Sequence, residues 1–536
     1  MMALANFLLL LLSLSCCSYG VTSSHSIQSM VTQTCTDIDD RNLCLANVQA
    51  ELQKTGPQIQ DSVSIITAAL RHTLNETKNA IQMITKFNSL SISYRESVAI
   101  EDCKELLDYS VSELAWSLGE MIKIRGGDTN VHYEGDLKSW LSAALSNQDT
   151  CLEGFEGTDR RLESFVRGSL KQVTQLIGNV LALYTQLYSL PSPPGDHGPP
   201  MNKSSSGDDF PAWMSEDDKA LVKSNPKSGA KHAVVAADGS GQYRTITEAV
   251  NEAPNYSPSR YVIYVKKGIY KENIDLKKKK TNIMFVGDGI GQTIITGNRN
   301  FMQGWTTFRT ATVAVSGKGF IAREMTIRNT AGPQNHQGVA LRVDSDQSAF
   351  FRCSIEGNQD TLYAHSLRQF YRECSIYGTI DFIFGNGAAV LQNCKIYTRV
   401  PLSLQKVTIT AQGRKNSHQN TGFTIQDSFV LATQPTYLGR PWKEYSRTVY
   451  MNTYMSGLVQ PRGWLEWYGD FALSTLWYGE YRNYGPGAGL AGRVKWPGYH
   501  ILKDAAAASF FTVGRFIDGR AWLPSTGVKF TAGLSN

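Results

Sequence analysis

Residues Cys353 to Asp360 read CSIEGNQD, and residues Cys374 to Asp381 read CSIYGTID. The two phrases begin 21 residues apart and share Cys, Ser, Ile, Gly and the closing Asp. A weaker echo, NCKIYT, starts at Asn393 and places Cys394 another 20 residues on. A period near 20 residues, built from short β-prone runs, is that of one coil of a parallel β-helix. Strands stacked in this way lie about 4.8 Å apart. Asp360 and Asp381 then take one position on neighbouring coils, with carboxylates roughly 5 Å apart. Two acids that close do not ionise independently. One is driven to keep its proton while the other serves as base or nucleophile. Stacked polar residues in β-solenoids can also be purely structural ladders, but Asn and Ser suit that task and stacked like charges repel. The repeat therefore predicts a catalytic acid pair.

Such a pair needs a long stack of short strands beneath it. From 231 to 536 the chain supplies short apolar or alternating runs punctuated by Gly and Asn, such as Ala233 to Ala236, Tyr261 to Val265, Ile283 to Val286 and Thr312 to Val315. One helical candidate, Ile246 to Ala253, is ended by Pro254. Evenly spaced strands alone fit a sandwich, a barrel or a solenoid. The repeat decides for a solenoid.

Upstream, residues 25–187 read as helix. Val63, Ile66, Leu70, Leu74, Thr77, Ile81 and Ile84 step by three and four, as one helix face requires. Ile100 to Leu118, Leu137 to Leu145 and Phe165 to Tyr184 carry three further stripes. Four amphipathic helices with short connections predict an up-and-down, all-α four-helix bundle. Residues 188–230 are rich in Pro, Gly and Ser and read as a linker, with Phe210 to Trp213 as a small apolar island. The apolar run from Phe7 to Leu14, closed by Ser18-Tyr19-Gly20, reads as a signal peptide over 1–20. The mature chain is thus expected to be exported, with no membrane attachment.

Of the nine cysteines, Cys16 and Cys17 leave with that segment, and an odd number remains. Export favours disulfides. Cys35 and Cys44 could close a hairpin, and a Cys103–Cys151 bridge could staple two helices. Sequons at Asn75, Asn202 and Asn255 are compatible with glycosylation. The overall net charge of +6 hides an asymmetry. From Lys231 onward there are 35 Lys and Arg against 20 Asp and Glu, a net of +15, which leaves −9 for the rest. A basic half suggests a polyanionic partner. In an exported protein an acidic polysaccharide fits that role better than nucleic acid. The Lys277 to Lys280 run reads as a solvated turn. There is no G-x-S-x-G for a serine-esterase elbow, and the nine histidines show no metal-ligand spacing, so neither metal nor cofactor is expected. Gly487 to Gly492 matches G-x-G-x-x-G without the strand–helix context that motif needs.

GNQDTLY (Gly357 to Tyr363), DFIFGN (Asp381 to Asn386), HQGVALR (His336 to Arg342) and LGRPW (Leu438 to Trp442) resemble the signature segments of plant pectin methylesterases. EDCKELL (Glu101 to Leu107) and LSAALSNQDTC (Leu141 to Cys151) resemble a pectin methylesterase inhibitor domain. Together they are similar to the two-domain form of the enzyme, over nearly the whole mature chain. The resemblance implies a right-handed parallel β-helix that hydrolyses the methyl esters of galacturonate in pectin, in the cell wall. It implies Asp381 as nucleophile, Asp360 as general acid/base, and Gln337 and Gln359 as oxyanion donors. Arg440 is implied as the residue that binds Asp381 and keeps it ionised. The chemistry agrees with these residue types. A carboxylate nucleophile needs a partner that protonates the leaving methoxide, and neutral amides stabilise an oxyanion without collapsing onto the acids. An arginine fork fits a carboxylate.

The same resemblance extends to Thr307, in WTTFRTAT, as a substrate contact. The aromatics Tyr363, Phe384, Trp442 and Trp464 suit sugar-ring faces, and His336 is expected to support the site. A Cys374–Cys394 disulfide with Cys353 unpaired is implied as well. The partners implied are pectin and the chain's own inhibitor-like domain or separate inhibitor proteins. One departure stands out: relatives carry a basic processing motif near a segment like FPAWMS (Phe210 to Ser215), whereas here Glu216-Asp217-Asp218-Lys219-Ala220-Leu221 follows, with one basic residue. Two other readings use the same residues. A retaining glycoside hydrolase also pairs carboxyls about 5–5.5 Å apart. A non-catalytic inhibitor or wall-binding protein is the third, and the intact acid, amide and arginine set argues against it.

Overall fold

The computed structural model describes residues 31–32, 35, 41–55, 61–127, 133–188 and 232–535. The expected signal peptide, the linker beyond Tyr188 and the sequon at Asn202 lie outside the described residues. The other two sequon asparagines, Asn75 and Asn255, are exposed.

In the C-terminal half short strands pair in parallel with the strand one coil away. Seven of them form the face that matters here: β1 (Ile274–Leu276), β2 (Val313–Val315), β3 (Leu341–Val343), β4 (Leu362–Tyr363), β5 (Ile383–Gly385), β6 (Val407–Gln412) and β7 (Thr436–Pro441). Their spatial order is β7-β6-β5-β4-β3-β2-β1. Seventeen other strands form the rest of the coil wall. This is a right-handed parallel β-helix, the hand that parallel crossovers take.

The repeated phrase sets the register. Ile327, Ile355, Ile376, Ile396 and Val430 pair in sequence across successive coils, and all are fully buried. Each such side chain contributes about 1.5–3 kcal/mol by burial, so the ladder fixes which residues face each other. Just before each Cys of the phrase the chain turns a left-handed corner, at Arg352, Glu373 and Asn393, with φ of 50°, 54° and 54°.

Those cysteines are the first correction. Cys353, Cys374 and Cys394 are buried free thiols, and the expected Cys374–Cys394 bridge is absent. Equivalent residues on neighbouring coils point the same way at strand spacing, whereas a disulfide needs Cβ atoms about 3.8 Å apart and facing. Each thiol instead donates to a backbone carbonyl of the previous coil: Cys353 to Ala322 at 3.5 Å, Cys374 to Phe350 at 3.4 Å and Cys394 to Tyr371 at 3.4 Å. Burial pushes the thiols of Cys374 and Cys394 well above the ordinary range, which makes them inert. Alkylation of the denatured, unreduced chain should modify all three, and a peptide pair joining Cys374 to Cys394 would refute this assignment.

The N-terminal half is helical: α1 (Arg41–Thr55), α2 (Ser62–Phe87), α3 (Tyr94–Arg125), α4 (Tyr133–Glu153) and α5 (Arg161–Tyr188). The four stripes correspond to α2 through α5. Helix α1 is additional, and among its described side chains only Cys44 and Val48 are buried apolar groups, too few to show a stripe. Asp61 caps α2 by accepting from the Ser64 amide at 2.8 Å, and Ser93 with Glu96 forms a capping box on α3. Phe165 departs from its stripe. It is 60% exposed, its ring tilted against Phe87 at 6.3 Å, while Val166 takes the inward position. The Cys35–Cys44 and Cys103–Cys151 disulfides are both formed. Among the described residues no helix is long and apolar enough to cross a membrane.

Candidate active site

Strand β4 pairs with β5 in the register Leu362↔Ile383 and Tyr363↔Phe384. Asp360 and Asp381, each two residues earlier, therefore occupy one position on adjacent coils. Both are left-handed, with φ of 62° and 50°. Asp is among the few residues that adopt this conformation at modest cost. The corner turns the chain into the sheet and leaves each carboxyl at its mouth.

Asp381 is held on both sides. The Arg440 guanidinium donates through Nε to Oδ1 at 2.9 Å and through its terminal nitrogen to Oδ2 at 2.6 Å. Arg440 stands on β7, and the ladder Phe384↔Ala411↔Arg440 brings it two coils over to the acid. The Thr408 hydroxyl donates to Asp381 Oδ1 at 2.6 Å and accepts from the Asp381 amide at 3.0 Å. Asp360 has no such support. Burial pushes its carboxyl well above the usual range, the nearby charges of Asp381 and Glu156 push the same way, and Arg440 offsets them only in part. Asp360 keeps its proton where an ordinary carboxyl has lost it.

Both acids line a cavity of about 260 Å³ shared with Gln337, Gln359 and Thr307. The two glutamines come from adjacent coils, tied by the Gly338 amide donating to the Gln359 carbonyl at 3.2 Å. Tyr363 and Phe384 stack at 4.1 Å, one on each coil, and Trp442 lies 5.9 Å from Phe384. A buried acid, a braced carboxylate and two primary amides at an aromatic wall are groups that could attack a carbonyl, hold its oxyanion and protonate a leaving group. The sequence itself agrees with known proteins at this point. The family model described as Pectinesterase matches residues 232–520, and that described as Plant invertase/pectin methylesterase inhibitor matches residues 29–183.

The chain belongs to the pectinesterase family. It is 63% identical over 547 aligned positions to the Arabidopsis thaliana protein "Putative pectinesterase/pectinesterase inhibitor 22", covering 99% of each chain. It is 48% identical to "Pectinesterase/pectinesterase inhibitor PPE8B" of Prunus persica, over 88% of this chain and 90% of that one. Among solved structures, "Pectin methylesterase from Carrot" matches with a TM-score of 0.56 and 54% identity, covering 57% of this chain and 98% of that chain. The chain is thus a pectinesterase with an N-terminal inhibitor-like domain.

The inhibitor-like domain is docked on the mouth of the pectinesterase cavity. Thr150, Glu153, Gly154 and Glu156, at the end of α4 and just beyond, form its outer wall. Ion pairs between the halves run with one polarity, acid from the helices and cation from the β-helix. Arg309 meets Asp102 and Glu105. Lys277 meets Glu105 at 2.6 Å, Lys278 meets Glu113 at 2.8 Å and Arg368 meets Asp136 at 2.5 Å. Lys415 meets Asp149, and Lys443 meets Glu153, both at 2.5 Å. Glu105 is half-hidden, which opposes ionisation, but Arg309 and Lys277 outweigh that and hold its carboxyl at about 2. The expected solvated turn at Lys277 to Lys280 is thus divided: Lys277 and Lys278 join the docking strip, Lys279 is exposed, and Lys280 is buried, donating to the Asn251 and Ala253 carbonyls of its own half.

Two expectations fail at this site. Trp464 is fully buried, stacks on Tyr478 at 4.1 Å and donates to Glu480 at 3.3 Å, so it is core and does not line the cavity. Trp467, three residues on, lines it instead, with the Arg440 guanidinium 4.3 Å from its ring. His336 is exposed at the end of a short turn and does not line the cavity. His365 is the histidine that matters locally. It is buried, which lowers its pKa to about 4, and its Nε2 lies 2.9 Å from the Thr150 hydroxyl of the docked domain. Nothing in the sequence around His365 distinguishes it, because its role comes from the other half of the chain.

Proposed function

We propose that the chain hydrolyses methyl esters of galacturonate units in pectin, yielding demethylated pectin and methanol, through Asp381 and Asp360. The observation that carries this reading is the contrast within the pair, one carboxylate clamped by Arg440 and one buried carboxyl without such a clamp, whose pKa burial raises. Asp381 attacks the ester carbonyl carbon, and the oxyanion that forms accepts hydrogen bonds from the Gln337 and Gln359 amides. Loss of either donor would cost on the order of 10²–10³ in rate. Collapse of that intermediate breaks the bond to methoxide, which leaves as methanol with the proton of Asp360. Asp360, now ionised, takes a proton from water as it attacks the acyl-Asp381 intermediate. Release of the galacturonate acid restores both residues. Thr307, Tyr363, Phe384, Trp442 and Trp467 position the sugar rings.

The docked domain supports a second part of the reading: the inhibitor-like domain suppresses its own enzyme in cis, and separate inhibitor proteins use the same face. Export to the cell wall, with glycans at Asn75 and Asn255, accords with the family and with their exposure. The test is product analysis on methylated pectin. Methanol without new reducing ends is expected, and reducing ends without methanol would instead point to a glycoside hydrolase. A pH profile adds a second check. Because the pKa of Asp360 is raised, its proton is available up to a higher pH than for an ordinary carboxyl, then lost. Methanol release should fall as pH rises through that raised value, and a rate unaffected by alkalinisation would exclude Asp360 as the acid.

A further inference from the structure

The docked interface opens at its other end into a second cleft, of about 1080 Å³. Lys277, which lines it, follows β1, three rungs of the sheet before β4, so the cleft lies roughly 14 Å along the axis from the catalytic coils. Its β-helix wall carries Lys277, Lys278, Lys279 and Lys318. Lys277 pairs with Glu105 of α3 and, at 2.7 Å, with Asp275 of its own half, while Lys278 pairs with Glu113 of α3. Lys279 and Lys318 make no ion pair among the described residues, and Lys279 is exposed. The opposite wall presents Trp116 and Trp140, with Lys278 5.1 Å from the first ring and Lys318 5.7 Å from the second, and it also carries the acids Glu105, Asp108 and Glu120, the last paired with Lys123.

Closely spaced ammonium groups beside indole faces match one chemistry, a chain of sugar rings bearing carboxylates. The cations take the charges, and the rings offer C–H surface to the aromatics. The methyl-esterified polymer lacks the charges and gains little here. Two of the lysines already hold carboxylates, supplied by the helical domain itself.

We propose that this cleft is a second binding site for demethylated galacturonan, whose carboxylates meet Lys279 and Lys318 and compete with Glu105 and Glu113 for Lys277 and Lys278. The ligand is the polymeric product of the activity proposed above, and the inference rests on that reading for its biological sense. The acidic face of α3 then stands where the product's carboxylates would stand. Demethylated stretches of the polymer loosen the domain that covers the enzyme.

The experiment is a titration of the full-length chain at low ionic strength with a fluorescently labelled, fully demethylated oligogalacturonate, read by anisotropy. Saturable binding is expected, and a fully methylated oligomer should not compete. Lys279→Gln with Lys318→Gln should weaken binding by about fivefold or more, as two lost charge contacts imply. Lys279→Arg with Lys318→Arg should retain it. Glu113→Gln should tighten binding, because it removes the competitor for Lys278. No binding by the wild-type chain, equal affinity in the double Gln variant, or no gain with Glu113→Gln overturns the proposal. Methanol release from methylated pectin is measured on the same proteins. Its absence in the wild type would count against the activity and leave the titration to be judged by itself.

Discussion

Replacing Asp381 by Asn is expected to lower methanol release by at least about three orders of magnitude, the scale seen when an enzyme loses its nucleophile. The fold should tolerate the change. Asn has the same shape, accepts a left-handed φ near the observed 50°, and can still accept from the Thr408 hydroxyl through its amide oxygen. What disappears is the nucleophilic oxygen and the anionic partner of Arg440, whose guanidinium still has the Trp467 ring beneath it. Circular dichroism and pectin binding should match the wild type. A folded variant within tenfold of wild-type activity would remove Asp381 from the nucleophile's role.

Reversing two acids of the helical domain should have the opposite effect. Glu105→Lys with Asp149→Lys leaves every catalytic-half residue in place but sets lysine against Lys277, Arg309 and Lys415. The Glu105–Arg309 contact is the best covered of these pairs and the Lys277 and Lys415 contacts are part-exposed, so the loss lies below the ~2–5 kcal/mol of a fully buried pair, but three repulsive contacts act against a tether that supplies a local concentration of roughly millimolar. Full-chain methanol release is expected to rise about tenfold or more. Added salt should move the wild type the same way, because the screening length falls from about 10 Å at 0.1 M to about 3 Å at 1 M. If the folded double variant and the wild type release methanol at one rate at low salt, the helical domain has no inhibitory role in cis.

What could be read from the sequence was what repeats. The phrase repeated at a 21-residue spacing pointed to the coil, and the same spacing of its closing residues placed Asp360 over Asp381. The stripes of α2 through α5 followed from period 3.6, whereas α1, with two buried apolar side chains among those described, had too little pattern to show. Whatever depended on side-chain direction was less legible. Equivalent cysteines on adjacent coils look like partners in a string of letters, but stacking points them in parallel. Trp464 and Trp467 are three residues apart, and only the local turn decides which enters the core. The charge imbalance between the halves was visible at once. That Lys277 and Lys278 answer particular acids on α3 was not, because those residues lie more than 160 positions apart.

The placement of sulfur divides the molecule. Both disulfides lie in the helical half, while the β-helix keeps three thiols sealed in its core. Cys103–Cys151 joins α3 to α4, the two helices that supply the acids gripping the β-helix. In the chain-entropy picture, a bridge closing 48 residues is worth roughly 4 kcal/mol to the half that contains it. A reductant therefore weakens the cover and leaves the stack of coils as it was. The two halves thus differ in what holds them against a reductant: the helical half carries the bridges, and the β-helix rests on its stacked core alone.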